Sequence, residues 1–282
     1  MPILHNYLTL DIGVHSNVIL SLKRQKEGRI YKTMTIFCFT STGNSLYVAK
    51  KIAEKAGGKV LPMNADPGII TDDVIGFVYP VYYWKLPRIT DRFIKGLRIE
   101  NKEAYIFAVG TYGGAAPGVN SFIRKHMKQK GLDLNYGSYV KLVDNYIPMY
   151  HPKDSAALQS KAEARIIEIA EAVSRRENNR IGKDTFLNSL SFKAMAGEDS
   201  DKYFNIADSC NGCGICEKIC PVKNITMEEE KPVFRHRCEH CMGCLQNCPA
   251  LAINWKEKTR NKKRFRKDGI TLDELIRFNQ GE

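Results

Sequence analysis

The sequence lacks the features of a membrane protein and of an exported one. No stretch of its 282 residues approaches the 18 or more apolar residues that a membrane span needs, and the mean hydropathy is −0.34. Residues 1–33 contain no basic segment followed by an apolar run and a cleavage site, so they do not predict a signal peptide. We therefore expect a soluble, cytoplasmic protein without a membrane span.

Two common nucleotide-binding motifs are also missing. The chain has no G-x-x-x-x-G-K-[ST] sequence, which argues against a Walker A site. The G-x-G-x-x-G fingerprint of dinucleotide-binding folds does not follow the first apolar segment at Met34 either. A phosphate site, if present, must therefore be built in another way.

Cysteine is scarce except in one region. Eight of the nine cysteines form two copies of C-x2-C-x2-C-x3-C-P, which begin at Cys210 and Cys238, an offset of 28 residues. Thiolates at this spacing hold [4Fe–4S] clusters. Structural zinc sites also use C-x2-C pairs, but four ligands for each ion leave the third cysteine of each triplet and the Cys-Pro ends unexplained. The pattern therefore favours two [4Fe–4S] clusters and transfer of single electrons.

The segment from about 199 to 258 resembles the bacterial two-cluster ferredoxin domain, a small α+β fold. In that family the fourth cysteine of each copy binds the other cluster. The resemblance implies two interleaved ligand sets: Cys210, Cys213, Cys216 and Cys248 for one cluster, and Cys238, Cys241, Cys244 and Cys220 for the other. Cysteines used for clusters rather than disulfides are typical of a reducing cytoplasm, and oxygen-sensitive clusters suggest an anaerobic or microaerobic host.

A phosphate-binding pattern lies near the start of the predicted core. The apolar run TMTIFCF from Thr33 is followed by a loop of hydroxyls and glycine, and then by a helical segment that ends at two glycines. Backbone N–H groups at a helix N-terminus bind anions, and hydroxyls add donors. The predicted phosphate-binding residues are Thr40, Ser41, Thr42, Gly43, Asn44 and Ser45.

This loop resembles the FMN phosphate loop of flavodoxins, whose pattern is [ST]-x-T-G-x-[TS] with an alanine in the next helix, here Ala49. Cys38 departs from the pattern, since flavodoxins usually have an aromatic residue at the strand end. We interpret Cys38 as a small buried residue.

Two later loops also follow predicted strands. In flavodoxins the first of them places an aromatic residue against the flavin, and the second lines its other side and reaches its pyrimidine edge. Tyr82 or Trp84 is therefore expected to stack on the flavin, although two of the aromatics from Tyr82 to Trp84 could instead pack against Leu86 and Phe93. The second loop contributes Thr111, Tyr112, Gly113 and Gly114, for which a permissive strand–helix turn is the alternative interpretation.

Alternating strands and helices over about 150 residues predict an α/β fold. We expect a flavodoxin-like doubly wound parallel sheet, followed by a small α+β ferredoxin-like two-cluster domain. The loops named above all leave the carboxyl ends of strands, so they should converge on one pocket. The predicted divisions are 1–33 as an extension outside the core, 34–182 as the FMN-binding domain, 183–200 as a linker, 201–258 as the cluster domain and 259–282 as a basic tail with a short helix. Residues 1–33 are further expected to be translated upstream sequence or a disordered extension, with the true start at Met34.

The formal net charge of +12 falls to roughly +8 once two clusters of about −2 each are counted, and to about +6 with a flavin phosphate. The basic run Lys256–Lys267 could dock an acidic redox partner, but a solvated tail is the favoured interpretation. The run contains a single aromatic residue, Phe265, which argues against a nucleic-acid site.

The whole chain resembles flavodoxin–ferredoxin fusion proteins. The resemblance implies an electron-transfer protein with FMN, two [4Fe–4S] clusters and a separate redox partner. Two alternatives stay open. One is a reductase with its own small-molecule acceptor, for which Tyr112 and His151 are acid–base candidates. The other is a ferredoxin whose flavodoxin-like domain docks partners without flavin, although the intact hydroxyl loop argues against it.

Overall fold

The structure is a computed structural model that describes residues 33–185, Asn188 and residues 198–282. The predicted extension therefore lies outside the described residues except for Thr33, and so does most of the predicted linker. Residues 34–282 form one compact unit.

The first part of this unit is a five-stranded parallel sheet. Its strands are β1 (Met34–Cys38), β2 (Lys59–Pro62), β4 (Val74–Pro80), β6 (Tyr105–Tyr112) and β7 (Tyr136–Lys141). Two short strands, β3 (Ile69–Ile70) and β5 (Arg98–Ile99), form a separate parallel pair. The order in the large sheet is β2-β1-β4-β6-β7, which is the flavodoxin-like order of a doubly wound fold. The predicted fold class is confirmed.

Helices cover both faces of the sheet. They are α1 (Asn44–Ala56), α2 (Arg88–Gly96), α3 (Asn120–Gln129) and α4 (Ala156–Ser174). Along β1 the side chains alternate, so that Ile36 and Cys38 join the apolar cluster with α1 and α4 while Phe37 and Phe39 join the other. Cys38 is fully buried, as expected.

The second part repeats one small unit. Antiparallel strands β8 (Phe204–Ile206) and β11 (Ile253–Trp255) pair, as do β9 (Ile225–Glu228) and β10 (Lys231–Phe234). A short 3₁₀ helix (Glu198–Tyr203) precedes β8, and the four-residue helices α5 (Ile215–Lys218) and α6 (Gly243–Gln246) follow the cysteine loops. The small antiparallel sheets confirm the α+β class predicted for this part.

The C-terminal segment is part of the core. The helix α7 (Leu272–Gln280) begins at Thr271, whose Oγ1 accepts from the N–H of Glu274 at 3.1 Å. Leu275 is fully buried in the same apolar cluster as α1. The segment also bridges both parts, because the backbone N–H of Lys267 donates to Thr42 O at 2.8 Å and Asn279 Nδ2 donates to Ile219 O at 2.9 Å. The expectation of a solvated tail is wrong for Lys267, which is buried, whereas Lys256, Lys258 and Lys263 are exposed.

Among the helices of the described residues, none combines the length and the apolar character that crossing a bilayer requires.

Truncating Leu275 tests whether this segment stabilises the fold. Because its side chain is fully buried, L275A should lower the free energy of unfolding by about 2–5 kcal/mol. R277A, on the exposed side of the same helix, should change it by less than about 1 kcal/mol. Anaerobic chemical denaturation of the cluster-loaded protein measures both. Equal, small effects would contradict a packed segment.

Candidate functional site

One cavity of about 600 Å³ opens at the carboxyl ends of the sheet strands. Its wall comes from the loops after β1, β4, β6 and β7, and from the second cysteine loop together with Trp255. All predicted flavin-contact residues line it except Gly43, which lies within the first of these loops. The predicted convergence of the loops is therefore observed, and the cluster loop completes the wall.

The phosphate loop has the geometry of an anion site. Gly43 adopts a left-handed φ of 95° directly before α1 and donates its N–H to Thr40 Oγ1 at 3.1 Å. The first helical bond runs from Tyr47 N to Gly43 O at 2.9 Å, so the N–H groups of residues 44–46 precede the helical ladder. Such groups at a helix N-terminus attract phosphate.

Three hydroxyl groups and one buried amide oxygen without a hydrogen-bond partner among the described residues line this end of the cavity. Ser45 Oγ and Thr111 Oγ1 are 2.8 Å apart and join the first and third loops, while Thr42 Oγ1 accepts from Asn145 Nδ2. Asn44 is buried, and its Oδ1 has no hydrogen-bond partner among the described residues. A buried acceptor left in this state costs about 1–3 kcal/mol, which a ligand that donates to it would offset.

The aromatic loop is a strained turn. The backbones of Tyr82 and Lys85 exchange hydrogen bonds of 3.1 and 2.8 Å, and the two residues between them, Tyr83 and Trp84, have φ of 49° and 59°. Two successive left-handed residues make a type I′ turn, which usually needs Asn or Gly. Bulky aromatics there cost of order 1–3 kcal/mol in backbone strain, and such strain clusters at functional sites.

The three aromatics of this loop have different surroundings. Tyr82 lies edge-on to Phe39 with ring centroids 6.0 Å apart, and its hydroxyl is 3.3 Å from Ser41 Oγ. Trp84 is 37% exposed. Tyr83, which was not selected as a stacking residue, lies parallel to His240 with ring centroids 6.2 Å apart. Which aromatic stacks on a flavin stays a prediction.

The sequence analysis missed two parts of the wall: the loop after β7, with Asp144, Asn145, Tyr146, Met149 and Tyr150, and the residues His240, Met242 and Trp255 of the cluster part. The loop after β7 could have been found, because it also leaves the carboxyl end of a parallel strand. The acid–base candidate His151 is exposed and lies outside the cavity lining, whereas Tyr112 belongs to it.

Burial controls the protonation of the cavity's polar groups. It lowers the pKa of His240 to about 4, with Arg88 adding to the effect. Burial raises the pKa of the Asp144 carboxyl and of the Tyr83 hydroxyl. Gly113 allows Asp144 to approach, because a Cβ on Gly113 would lie 2.4 Å from Asp144 Cβ.

The cysteines of the two copies lie beside one another. The pKa of Cys216 is raised to about 11, chiefly by burial, with contributions from Cys248 and Cys213. Burial likewise raises the pKa of Cys241, with Cys220 and Cys238 next in effect. Each copy's triplet thus has the other copy's fourth cysteine nearby, as interleaved ligand sets require. The individual ligand assignments stay a prediction.

The backbone around the cysteines repeats as well. Asn224 N donates to Cys220 Sγ at 3.2 Å, and Ala252 N donates to Cys248 Sγ at 3.3 Å, which are equivalent positions 28 residues apart. N–H···S bonds of this kind hold cluster thiolates and tune their potentials. The donor set therefore fits two clusters.

Direct contacts fix the cluster loops onto the sheet. Gln246 Nε2 donates to Asn145 O at 2.6 Å, and Asn247 Nδ2 donates to Ser41 O at 3.5 Å. On the other side Arg92 forms a 2.6 Å ion pair with Glu239, whose side chain is only 2% exposed. Cys241 itself lines the cavity, so a group bound there would lie against the second cysteine loop.

Comparison with known proteins agrees with this arrangement. Residues 209–253 match the family described as 4Fe-4S dicluster domain. This part of the chain is similar to a dicluster domain. It carries two [4Fe–4S] clusters, and it follows a sheet with the flavodoxin-like strand order.

Two curated relatives match over short regions. The candidate electron transport protein YccM of Escherichia coli K12 is 33% identical over 73 residues, 25% of this chain and 20% of YccM. The ferredoxin-type protein NapF of Haemophilus influenzae is 32% identical over 85 residues, 30% of this chain and 46% of NapF. The chain thus spans less than half the length of either relative. These matches and the dicluster domain support electron transport as the general function.

A solved flavodoxin from Streptococcus pneumonia TIGR4 is 15% identical with a TM-score of 0.33, and the match covers 49% of this chain and 97% of that one. Because this identity and this TM-score are low, the flavodoxin-like fold is assigned from the strand order of the sheet and not from this match.

Replacing single cysteines tests the interleaved ligand sets. C220A should impair the cluster that also uses Cys238, Cys241 and Cys244, and C248A should impair the other, because each copy supplies the fourth ligand of the other's cluster. Each variant should lose up to about four of about eight irons, measured anaerobically with electron paramagnetic resonance. C38A, which removes a buried cysteine of β1, should keep all of them. If C220A instead impaired the cluster of Cys210, Cys213 and Cys216, the assignment would be wrong.

Proposed function

We propose that the protein is an electron-transfer flavoprotein that binds FMN without a covalent bond and passes electrons between FMN, its two clusters and a redox partner in the cytoplasm. The observation that supports this best is that the phosphate loop and Cys241 line the same cavity. A flavin bound there would lie beside a cluster ligand of the same chain.

The cavity residues divide into two groups by chemistry. At one end, the loop of Thr40 to Ser45 and the N-terminus of α1 would hold the phosphate. At the other, aromatic side chains from Tyr82, Tyr146 and Trp255 would hold the planar ring and exclude water from it. The FMN, when bound, supplies exchange of one or two electrons, whereas each cluster exchanges one.

The different surroundings of Cys241 and Cys213 predict the order in which electrons pass between the flavin, the two clusters and the partner. Cys241 lines the cavity, while the equivalent cysteine of the first copy, Cys213, is exposed to solvent. The cluster held by the second triplet would therefore exchange electrons with the flavin. The cluster held by the first triplet would exchange them with the partner near Cys213.

A reductase with its own acceptor is the second candidate. Met149 and Tyr150 lie at the cavity wall and are 64% and 47% exposed. An apolar, solvent-facing edge of this kind would suit a small acceptor that approaches the flavin. Steady NAD(P)H-dependent turnover of a small acceptor by the purified protein, without an added redox protein, would favour this candidate.

The decisive experiment is anaerobic purification and reconstitution with FMN, with iron, sulfide and flavin measured on one sample. About eight irons and one FMN for each chain are expected. Photoreduction of the flavin should then reduce the clusters. Protein with full clusters that takes up no FMN would overturn the flavoprotein proposal and leave the dicluster domain as the redox centre.

Adding a charge at Asn44 tests the phosphate site. N44D changes the side chain's shape little but places a carboxylate beside the α1 N-terminus, where it would repel phosphate. FMN affinity should fall at least about tenfold, corresponding to about 1.4 kcal/mol, while riboflavin affinity should change little. N178D, an exposed change beyond the amino end of β7, is the matched control. Fluorescence titration of wild type, N44D and N178D with FMN and with riboflavin measures the six affinities, and equal losses for FMN and riboflavin in N44D would contradict a phosphate role.

Removing the charge of Asp144 tests the ring end. A carboxylate near a group that gains electrons disfavours reduction, so D144N should raise the flavin's midpoint potential, by on the order of tens of millivolts. Burial raises the pKa of Asp144, so the wild-type carboxyl becomes protonated and loses its charge as the pH falls. The difference in flavin midpoint potential between D144N and wild type should therefore become smaller as the pH falls. Redox titration at several pH values tests this, with exposed Asp154, replaced by Asn, as the control.

A further inference from the structure

The two cysteine loops differ at two backbone positions that face the cavity. In the first copy Gly212 and Gly214 have left-handed φ of 69°, and in the second copy the equivalent residues are His240 and Met242, with φ of 55° and 60°. Glycine adopts this conformation freely, but other residues lose roughly 1–2 kcal/mol there. The second copy therefore has side chains, those of His240 and Met242, at two positions where the first copy has glycine with the same backbone conformation.

Both side chains lie in the cavity wall, and both residues are buried. Met242 is apolar and packs with the core around the clusters. His240 is polar, and its ring is fixed on several sides: it lies parallel to Tyr83, and its centroid is 4.4 Å from that of Trp255 and 5.6 Å from that of Tyr146. A histidine held so firmly in a strained backbone position has a fixed direction for each ring nitrogen.

Hydrogen bonds decide which nitrogen is free. The Tyr83 hydroxyl donates to Tyr146 Oη at 2.9 Å, and the same hydroxyl lies 2.9 Å from His240 Nδ1. Since its one proton is directed to Tyr146, Nδ1 must carry the ring proton and donate to Tyr83. In the neutral ring Nε2 is then an acceptor. It is buried and has no partner among the described residues.

We propose that His240 is a ligand-binding residue of the cavity, whose Nε2 accepts a hydrogen bond from an N–H group of the bound flavin ring. This inference rests on the proposed FMN binding. A flavin ring supplies an N–H donor, and the partnerless acceptor would lose its desolvation penalty when that donor arrives. Tyr83 and Tyr146 act as positioning residues, because their hydroxyl pair holds the imidazole in the required tautomer.

Three substitutions at His240 separate the acceptor from the ring and from the backbone. H240G restores the residue that the first copy has, so it should keep the clusters, yet raise the Kd for FMN about tenfold or more. H240F keeps an aromatic ring without an acceptor and should bind FMN as weakly as H240G. H240Q places an acceptor at the end of a longer side chain and should stay within about threefold of wild type.

The control is L251G, which replaces another left-handed residue of the second copy, φ 51°, that is exposed and does not line the cavity. It should leave the Kd unchanged. Fluorescence and visible-spectrum titrations with FMN, on anaerobic samples of equal iron content, measure all variants.

The outcomes separate the two proposals. Wild-type protein that fails to bind FMN would overturn the proposed function. Wild-type protein that binds FMN, with H240G and H240F at unchanged Kd, would overturn the role of His240 alone. Loss of binding in H240Q equal to that in H240F would also overturn it, because keeping an acceptor would then make no difference to binding.

Discussion

The structure depends on the contact between the second cysteine loop and the phosphate loop. Ser41 O accepts from Asn247, and the neighbouring Thr42 O accepts from the N–H of Lys267. Both carbonyls precede α1, so the helix that would bind phosphate and the loop that binds a cluster share one anchoring point. Electron transfer falls steeply with distance, and a group held in this cavity would lie close to Cys241, which lines it.

Contacts of its basic side chains explain why the C-terminal segment packs against both parts of the chain. A basic run read from sequence suggests repulsion and solvation. Several of its charges instead bind backbone carbonyls: Lys262 Nζ donates to Ile147 O at 2.8 Å, and Arg264 Nη2 donates to Ile253 O at 3.0 Å. Lys267 lies over the ring of Tyr47 at 4.6 Å. These cations hold the segment across both parts of the chain, so less of the run is left for docking a partner than its composition suggests.

Sequence was sufficient wherever one local pattern determines the structure. The cysteine spacing gave the dicluster domain, and the alternation of strands and helices gave the sheet, because neighbouring residues decide both. The hydroxyl loop at Thr40 to Ser45 was found for the same reason. The contacts of Tyr83 with His240 could not be found in this way, since they join residues 157 positions apart. Nor could the burial of Leu275, which belongs to an apolar cluster whose other members include Leu46 and Ile52.

The internal repeat shows where function has changed an otherwise symmetrical unit. Both copies keep the cysteine spacing, the four-residue helices and the N–H···S bonds from Asn224 and Ala252. They diverge at Gly212 and its equivalent His240, where the backbone is alike but the surroundings are not. In the first copy a Cβ on Gly212 would lie 3.0 Å from Glu230 Cβ, so glycine fits there. The second faces the cavity, and a strained side chain is kept. Backbone strain lowers stability without improving the fold itself. The difference between the two copies is therefore explained by the contact of the second loop with the cavity, and not by the binding of a cluster, which both copies share.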